Sequence, residues 1–87
     1  MASPLSVSVV SADQEVWSGT AKQIIARTTE GEIGILPGHE PLLAILAEGE
    51  VRVTGVDGNV VSASAADGFL SVENNNVTIV ARYAELA

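Results

Sequence analysis

Between Leu5 and Val9 apolar and polar residues alternate strictly, L-S-V-S-V, which is the two-residue period of a half-buried strand. The chain is therefore expected to start on a strand. From Glu15 to Thr29 the run EVWSGTAKQIIARTT is rich in β-branched residues and is broken at Ser18-Gly19, predicting two strands joined at a turn or bulge. The run EVRVTG, from Glu50 to Gly55, alternates again, with Val51 and Val53 facing in and Arg52 and Thr54 facing out. It leads into Val56-Asp57-Gly58-Asn59, where Asp-Gly is the pair best suited to the positive φ angles of a tight turn, so a hairpin into NVVSASA is expected. Asp67-Gly68 then punctuates the chain before FLSVE, and Asn74-Asn75-Asn76 does so before VTIVARY, in which Val77 and Ile79 face in. Asparagine suits such a position because it tolerates left-handed backbone better than other non-glycine residues.

One segment fits either period. PLLAILAE, from Pro41 to Glu48, opens on proline and is then continuously apolar, a length that suits two helical turns as well as a buried strand. Its place just before Gly49 and a clear strand, in an otherwise β sequence, favours a strand. Turn signals recur roughly every eight to ten residues, the spacing of an all-β sandwich or barrel and too short for the helices of βαβ units.

Composition narrows the class. The 87 residues suffice for one domain, 1–87, around one core. With 47% apolar and 17% charged residues the chain can bury enough surface to fold. Trp17, Phe69 and Tyr83 are its only aromatics, so the core must be valine, isoleucine, leucine and alanine, and no platform for stacking bases exists. A net charge of −7, with Lys22, Arg27, Arg52 and Arg82 as the only Lys and Arg, argues against nucleic acid, whose phosphates need clustered cations. Cysteine is absent, which excludes disulfides, thiolate metal sites and cysteine nucleophiles. The start, MASPLSVSVVSAD, lacks the basic region of a signal peptide, and no run approaches the roughly 20 apolar residues that cross a bilayer. Any membrane role has to run through a partner.

The least ordinary stretch is GEIGILPGHEPLL, Gly31 to Leu43, which sets three glycines, two prolines, two glutamates and the only histidine between short apolar runs. His39 beside Glu40 invites acid–base or metal chemistry. A single histidine without cysteine does not supply the converging ligands of a zinc site, and a triad needs a positioned nucleophile as well. A solvated or interface-packed histidine is the expectation, with no catalytic residue, metal ligand or cofactor assigned. Gly31, Gly34 and Gly38 miss the G-x-G-x-x-G spacing, and no glycine precedes a Lys-Ser or Lys-Thr pair; they are expected to permit tight turns and close backbone approach. Glu30, Glu32, Glu40, Glu48 and Glu50 hold five of the eleven acidic residues, with no lysine or arginine between Arg27 and Arg52. Two readings stay open for them: a solvated face of alternate strand positions, or a docking surface for something basic.

SVVSADQEVWSG, TTEGEIGILPGHEPLLAIL, Asp67-Gly68-Phe69-Leu70 and Asn76-Val77-Thr78, in that order, resemble the epsilon subunit of the rotary ATP synthase over about residues 5 to 83. The motif E-G-E-x-G-x-L-P-G-H-x-P-L is long, and its order of glycines, prolines and histidine is specific. The resemblance implies an all-β fold, a small β-sandwich of about ten strands, that serves as a non-catalytic rotor subunit of the central stalk. Such a subunit sits peripherally at the cytoplasmic face of the cell membrane, beside the gamma subunit and on the polar loops of the c-subunit ring, and contacts the membrane only through the complex. Position by position, Glu30, Gly31 and Glu32 match the part that meets the c-ring, and His39, Pro41 and Leu42 match the part near gamma. The ring loop of the family commonly offers an arginine, a sensible partner for Glu32. Many members continue into a helical hairpin that restrains ATP hydrolysis and in some binds ATP. These residues form no C-terminal helical hairpin, so that regulation is not expected of them. A reading of another class, a biotinyl or lipoyl carrier domain, needs its modified lysine at a hairpin tip. The sole lysine, in Thr20-Ala21-Lys22-Gln23, falls in an expected strand and disfavours it.

Overall fold

The computed structural model describes residues 4–11 and 14–86. Among them seven strands follow in order: β1 (Leu5–Val10), β2 (Glu15–Thr28), β3 (Gly31–Ile35), β4 (Leu42–Ile45), β5 (Gly49–Gly55), β6 (Val60–Glu73) and β7 (Asn76–Leu86). The sheet order β1-β7-β6-β5-β2-β3 closes on itself because β1 also pairs with β2, while β4 lies along β6. β1 runs parallel to β7, and the remaining pairs are antiparallel. Closure removes most of the open edges that a sheet of this size would otherwise expose.

Closure depends on strands that bend. β2 pairs with β1 through Leu5↔Ala21 and with β3 through Ile24↔Ile35, and its register against β5 shifts between Ala21 and Gln23. Its buried positions change parity at that bulge, from Ala21 to Ile24, Ala26 and Thr28. β6 keeps one register with β7 from Ala63↔Leu86 to Glu73↔Asn76, yet its buried side chains switch from Ala63 and Ala65 to Leu70 and Val72. Asp67, with φ 58°, lies at the switch, and one left-handed residue turns the pleat over without breaking the pairing. β7 follows it, buried at Val77, Ile79 and Ala81 and then packing Ala84 against the core. β4 and β5 share a single register against β6, with Leu42↔Val72 and Gly49↔Ala65. The outcome is two layers, β3-β2-β5-β6-β7 and β4-β6-β7-β1-β2, whose corners are made by strands that pass from one layer to the other.

Three expectations change in detail. Ser18-Gly19 is no break, because Ser18 pairs with Ser8 and Gly19 with Val7 inside one strand. A Cβ at Gly19 would stand 2.9 Å from Trp17 Cζ2, so the indole covers the gap that a strand glycine leaves. Asp67-Gly68 likewise bends β6 instead of separating two strands. The described residues thus hold seven continuous strands where about ten were expected, and counting the two arms of β2, β6 and β7 separately restores ten segments. PLLAILAE is extended as favoured, with Leu46 bridging to Thr28, while β3 inside the Gly-rich stretch was not expected.

The core matches the composition: Leu5, Val7, Val9, Ile24, Ile35, Val51, Val53, Leu70, Val72, Val77 and Ile79 are buried, with alanines between them. Arg52 is exposed between Val51 and Val53, as the alternation required. The β5–β6 hairpin forms at Asp57-Gly58, where the Gly58 amide donates to the Gly55 carbonyl at 3.0 Å. Gly58 takes the positive φ of 90° there and Asp57 does not. The Asp57 carboxylate instead accepts from the Asn59 backbone and side-chain amides at 3.0 and 2.8 Å. Asn74 and Asn75, with φ 49° and 63°, make the two-residue turn from β6 to β7 in the mirror-image form that suits strand twist.

Candidate functional site

Two surface features emerge from the Gly31–Leu43 stretch, one at each end of β3. The first is the turn Thr29-Glu30 between β2 and β3, closed by the pair Thr28↔Gly31. Glu30, Gly31 and Glu32 are all exposed there, and Gly31 takes φ 117°, a conformation that side chains other than glycine rarely adopt. The Thr29 amide donates to the Ile45 carbonyl and the Ala47 amide to the Arg27 carbonyl, both at 3.0 Å. These bonds hold the tip against the end of β4.

The second feature is the loop from Leu36 to Pro41. Pro37-Gly38 occupies its centre, with Gly38 at φ 87° and the His39 amide donating to the Leu36 carbonyl at 3.1 Å, the arrangement of a type II turn. The Gly38 amide donates to Asn75 Oδ1 at 2.8 Å, fastening the loop to the β6–β7 turn. His39 Nδ1 lies 2.7 Å from the Glu40 carbonyl oxygen; a carbonyl only accepts, so Nδ1 is the donor. Pro41 is exposed and Leu42 packs against the core. No nucleophile is bonded to the ring, and no group of three His, Cys, Asp or Glu among the described residues could hold a metal.

The acidic residues do not form one field. Glu32 is the cross-strand partner of Arg27, and Glu50 Oε1 lies 3.3 Å from Arg52 Nε, an ion pair with both side chains about half exposed and so worth about 0–1 kcal/mol. Glu30 is at one end of β3, and Glu40 is beyond the other. β3 rises about 3.3 Å per residue over Gly31–Ile35, so the tip Glu30–Glu32 and the loop carrying His39 and Pro41 lie at opposite ends of that strand, while Leu42 of β4 lines one shallow cavity together with Glu30. The sequence places the tip and that loop side by side; the strand between them separates them.

Sequence reasoning missed a third surface. Ile45 pairs with Phe69, Phe69 with Val80 and Val80 with Val10, and all four point away from the core. Ile45 is 57% exposed, Phe69 39% and the adjoining Leu43 69%, giving an apolar row across the outer face of the β4-β6-β7-β1 layer. The signal was present in PLLAILAE, since a strand that is apolar at both parities is either covered on both faces or presents one to a partner. Lys22 is exposed within β2, between the paired Ala21 and Gln23, far from the hairpin tip that a carrier lysine needs.

Residues 4–87 match the family model described as ATP synthase, Delta/Epsilon chain, beta-sandwich domain. The chain belongs to this family. The epsilon-type resemblance is reinforced by relatives named ATP synthase epsilon chain. That of Streptomyces coelicolor is 47% identical over 87 residues, covering 100% of this chain and 70% of its own length. That of Micrococcus luteus is 51% identical over 82 residues, with 94% and 90% covered, and that of Frankia casuarinae 48% over 83 residues, with 95% and 98% covered. Among solved structures, a chain of the Euglena gracilis mitochondrial ATP synthase, in the assembly of OSCP, F1 and c-ring in rotational state 1, superposes with a TM-score of 0.90 at 27% identity. The match covers 95% of this epsilon-type chain and 53% of the Euglena one, about half its length. A central stalk and c-ring structure from Tetrahymena thermophila shares the fold, with a TM-score of 0.72 at 18% identity and 95% and 66% of the two chains covered.

Proposed function

We propose that this chain is a non-catalytic rotor subunit of the proton-translocating ATP synthase, coupling rotation of the c-ring to the gamma subunit from a peripheral position at the cytoplasmic face of the membrane. Family membership supports the assignment to the complex, and the observation that carries the mechanism is the spacing of two contact surfaces on one closed sheet. A coupling element has to touch both partners at once and resist deformation between them. Here the tip Glu30-Gly31-Glu32 and the loop carrying His39 and Pro41 project from opposite ends of β3, and the sheet behind them closes on itself around a dense core that transmits strain.

In this reading the tip meets the ring's polar loops, where Glu30 and Glu32 fit a cation. His39, Pro41 and Leu42 meet gamma, and the apolar row through Leu43, Ile45 and Phe69 continues that seat, since exposed apolar patches mark protein contacts. His39 then acts by shape and contributes no proton transfer.

The chain contains no cysteine, so one introduced thiol is a unique probe. In the assembled complex Glu32→Cys is expected to cross-link to the c-ring and His39→Cys to gamma. Both thiols capturing the same partner, or neither capturing any, sinks the two-surface reading.

A further inference from the structure

Thr28 is the one buried polar side chain among the described residues, 5% exposed at the end of β2. It follows Ile24 and Ala26 on the inward face, a position where an aliphatic residue would be the plain choice. Its hydroxyl is engaged twice. Oγ1 donates to the Gly31 carbonyl at 2.7 Å and accepts from the Glu30 amide at 3.2 Å, so one side chain spans the turn Thr29-Glu30 from within.

Neither Thr29 nor Glu30 takes positive φ, and the left-handed conformation falls on Gly31, the form of a turn closed by a bulge glycine. That form sets the path of the chain, and the Thr28 hydroxyl ties Glu30 and Gly31 to it from the buried side. The turn's outer edge is held by the Thr29 amide on the Ile45 carbonyl, and its inner edge by the Thr28 hydroxyl beside the strand pairing.

We propose that Thr28 is a positioning residue for ring docking: its buried hydroxyl fixes the Glu30–Glu32 tip in the geometry that the c-ring receives. The proposal rests on the reading of that tip as the ring contact. Thr28 touches no partner itself; it lowers the ordering that docking would otherwise demand of a loose turn.

The test measures binding of the 87-residue chain to detergent-solubilised c-ring, with Thr28→Val, Thr28→Ser and Glu32→Lys beside the parent. Thr28→Val keeps the shape and the β-branch, removes both hydrogen bonds, and is expected to weaken binding about fivefold, the worth of roughly one net hydrogen bond. Thr28→Ser keeps the hydroxyl and is expected to bind within about twofold of the parent, since one methyl is lost away from the contact. Amide exchange at Glu30 should quicken in Thr28→Val while the β5–β6 amides stay protected. Normal binding by Thr28→Val, when Glu32→Lys binds weakly, overturns the positioning role and leaves the ring contact standing. Normal binding by Glu32→Lys removes the ring contact and the proposal with it. Should Thr28→Val not fold, a loss in Thr28→Ser as large as fivefold still overturns the proposal, because the hydroxyl is then not what matters.

Discussion

Gly68 is where the fold is least able to accept a methyl group. It sits just after the left-handed Asp67, opposite Ala81 of β7, and its carbonyl receives the Leu46 amide at 3.0 Å, so three chain segments meet at one residue of the corner. A Cβ there would overlap the Val80 carbonyl oxygen and stand 2.6 Å from the Ala81 Cα. Both are backbone atoms of the paired strand and cannot rotate away. Gly68→Ala has to push β7 off β6 at the bend, which places it at the upper end of overpacking losses, about 3 kcal/mol. At about 4–8 °C per kcal/mol for a domain of this size, Tm falls by about 12–24 °C. Gly34→Ala is the control: it lies on the exposed strand β3 with nothing within 4 Å of a new Cβ, and it should hold or raise Tm slightly by restricting the unfolded chain. Thermal melts followed by circular dichroism decide the matter. A Gly68→Ala melt within about 3 °C of the parent would show that β7 does not approach the corner as closely as described.

Strand register is tested by Val53→Asp, which buries an unpaired carboxylate at a 3% exposed position and should unfold the domain at several kcal/mol against a total of roughly 5 to 15, while Arg52→Ala should be mild; a severe Arg52→Ala alone would move the register by one residue. Glu32→Lys should melt within a few degrees of the parent, slightly lower because it sets like charge opposite Arg27, yet should weaken ATP-driven proton pumping in rebuilt membranes; normal pumping would leave that glutamate a solvated residue. Asn75→Gly keeps a left-handed turn while deleting the acceptor of the Gly38 amide, so Gly38 should exchange faster with little change in Tm, and unchanged exchange would show that the loop is held by other means.

Alternation made the buried half of each strand legible. L-S-V-S-V, EVRVTG and VTIVARY give the inward Val7, Val53 and Ile79 directly, because a two-residue period has no other solution in a chain this rich in valine and isoleucine. The bends were not legible. Glycine and aspartate at Asp67-Gly68 carry the same signal whether a chain reverses or merely turns its pleat over, and the difference lies in Gly68 packing against the Val80 carbonyl, a contact between residues distant in sequence. Gly19 misled for a related reason, since its strand conformation is supported by the Trp17 ring. β3 was hidden because Gly31 and Gly34 dilute its alternation, leaving Ile33 and Ile35 as its only apolar positions.

The motif already assigned the candidate residues to two groups, Glu30–Glu32 and His39–Leu42, but not how each is anchored in the fold, and the anchoring bears on how load would pass between them. β3 pairs only with β2, and β4 only with β6, among the named strands. A push on the tip is therefore carried sideways, through β2 into β1 and β5 and through the Thr29–Ile45 bond into β4 and β6, instead of along the loop from Leu36 to Pro41. At the far end that loop is tied by Gly38 to Asn75, and the Ser6 amide donates to the Asn75 carbonyl at 2.8 Å, which returns the path to β1. The tip and the Leu36–Pro41 loop, as proposed contact surfaces, are thus each anchored in the closed sheet, so loosening one tie should slacken its own surface and leave the other intact. That is why Thr28→Val and Asn75→Gly are expected to act separately, the first on ring binding and the second on the gamma side, and a variant at either position that disturbed both alike would show the sheet to be softer than its pairing implies.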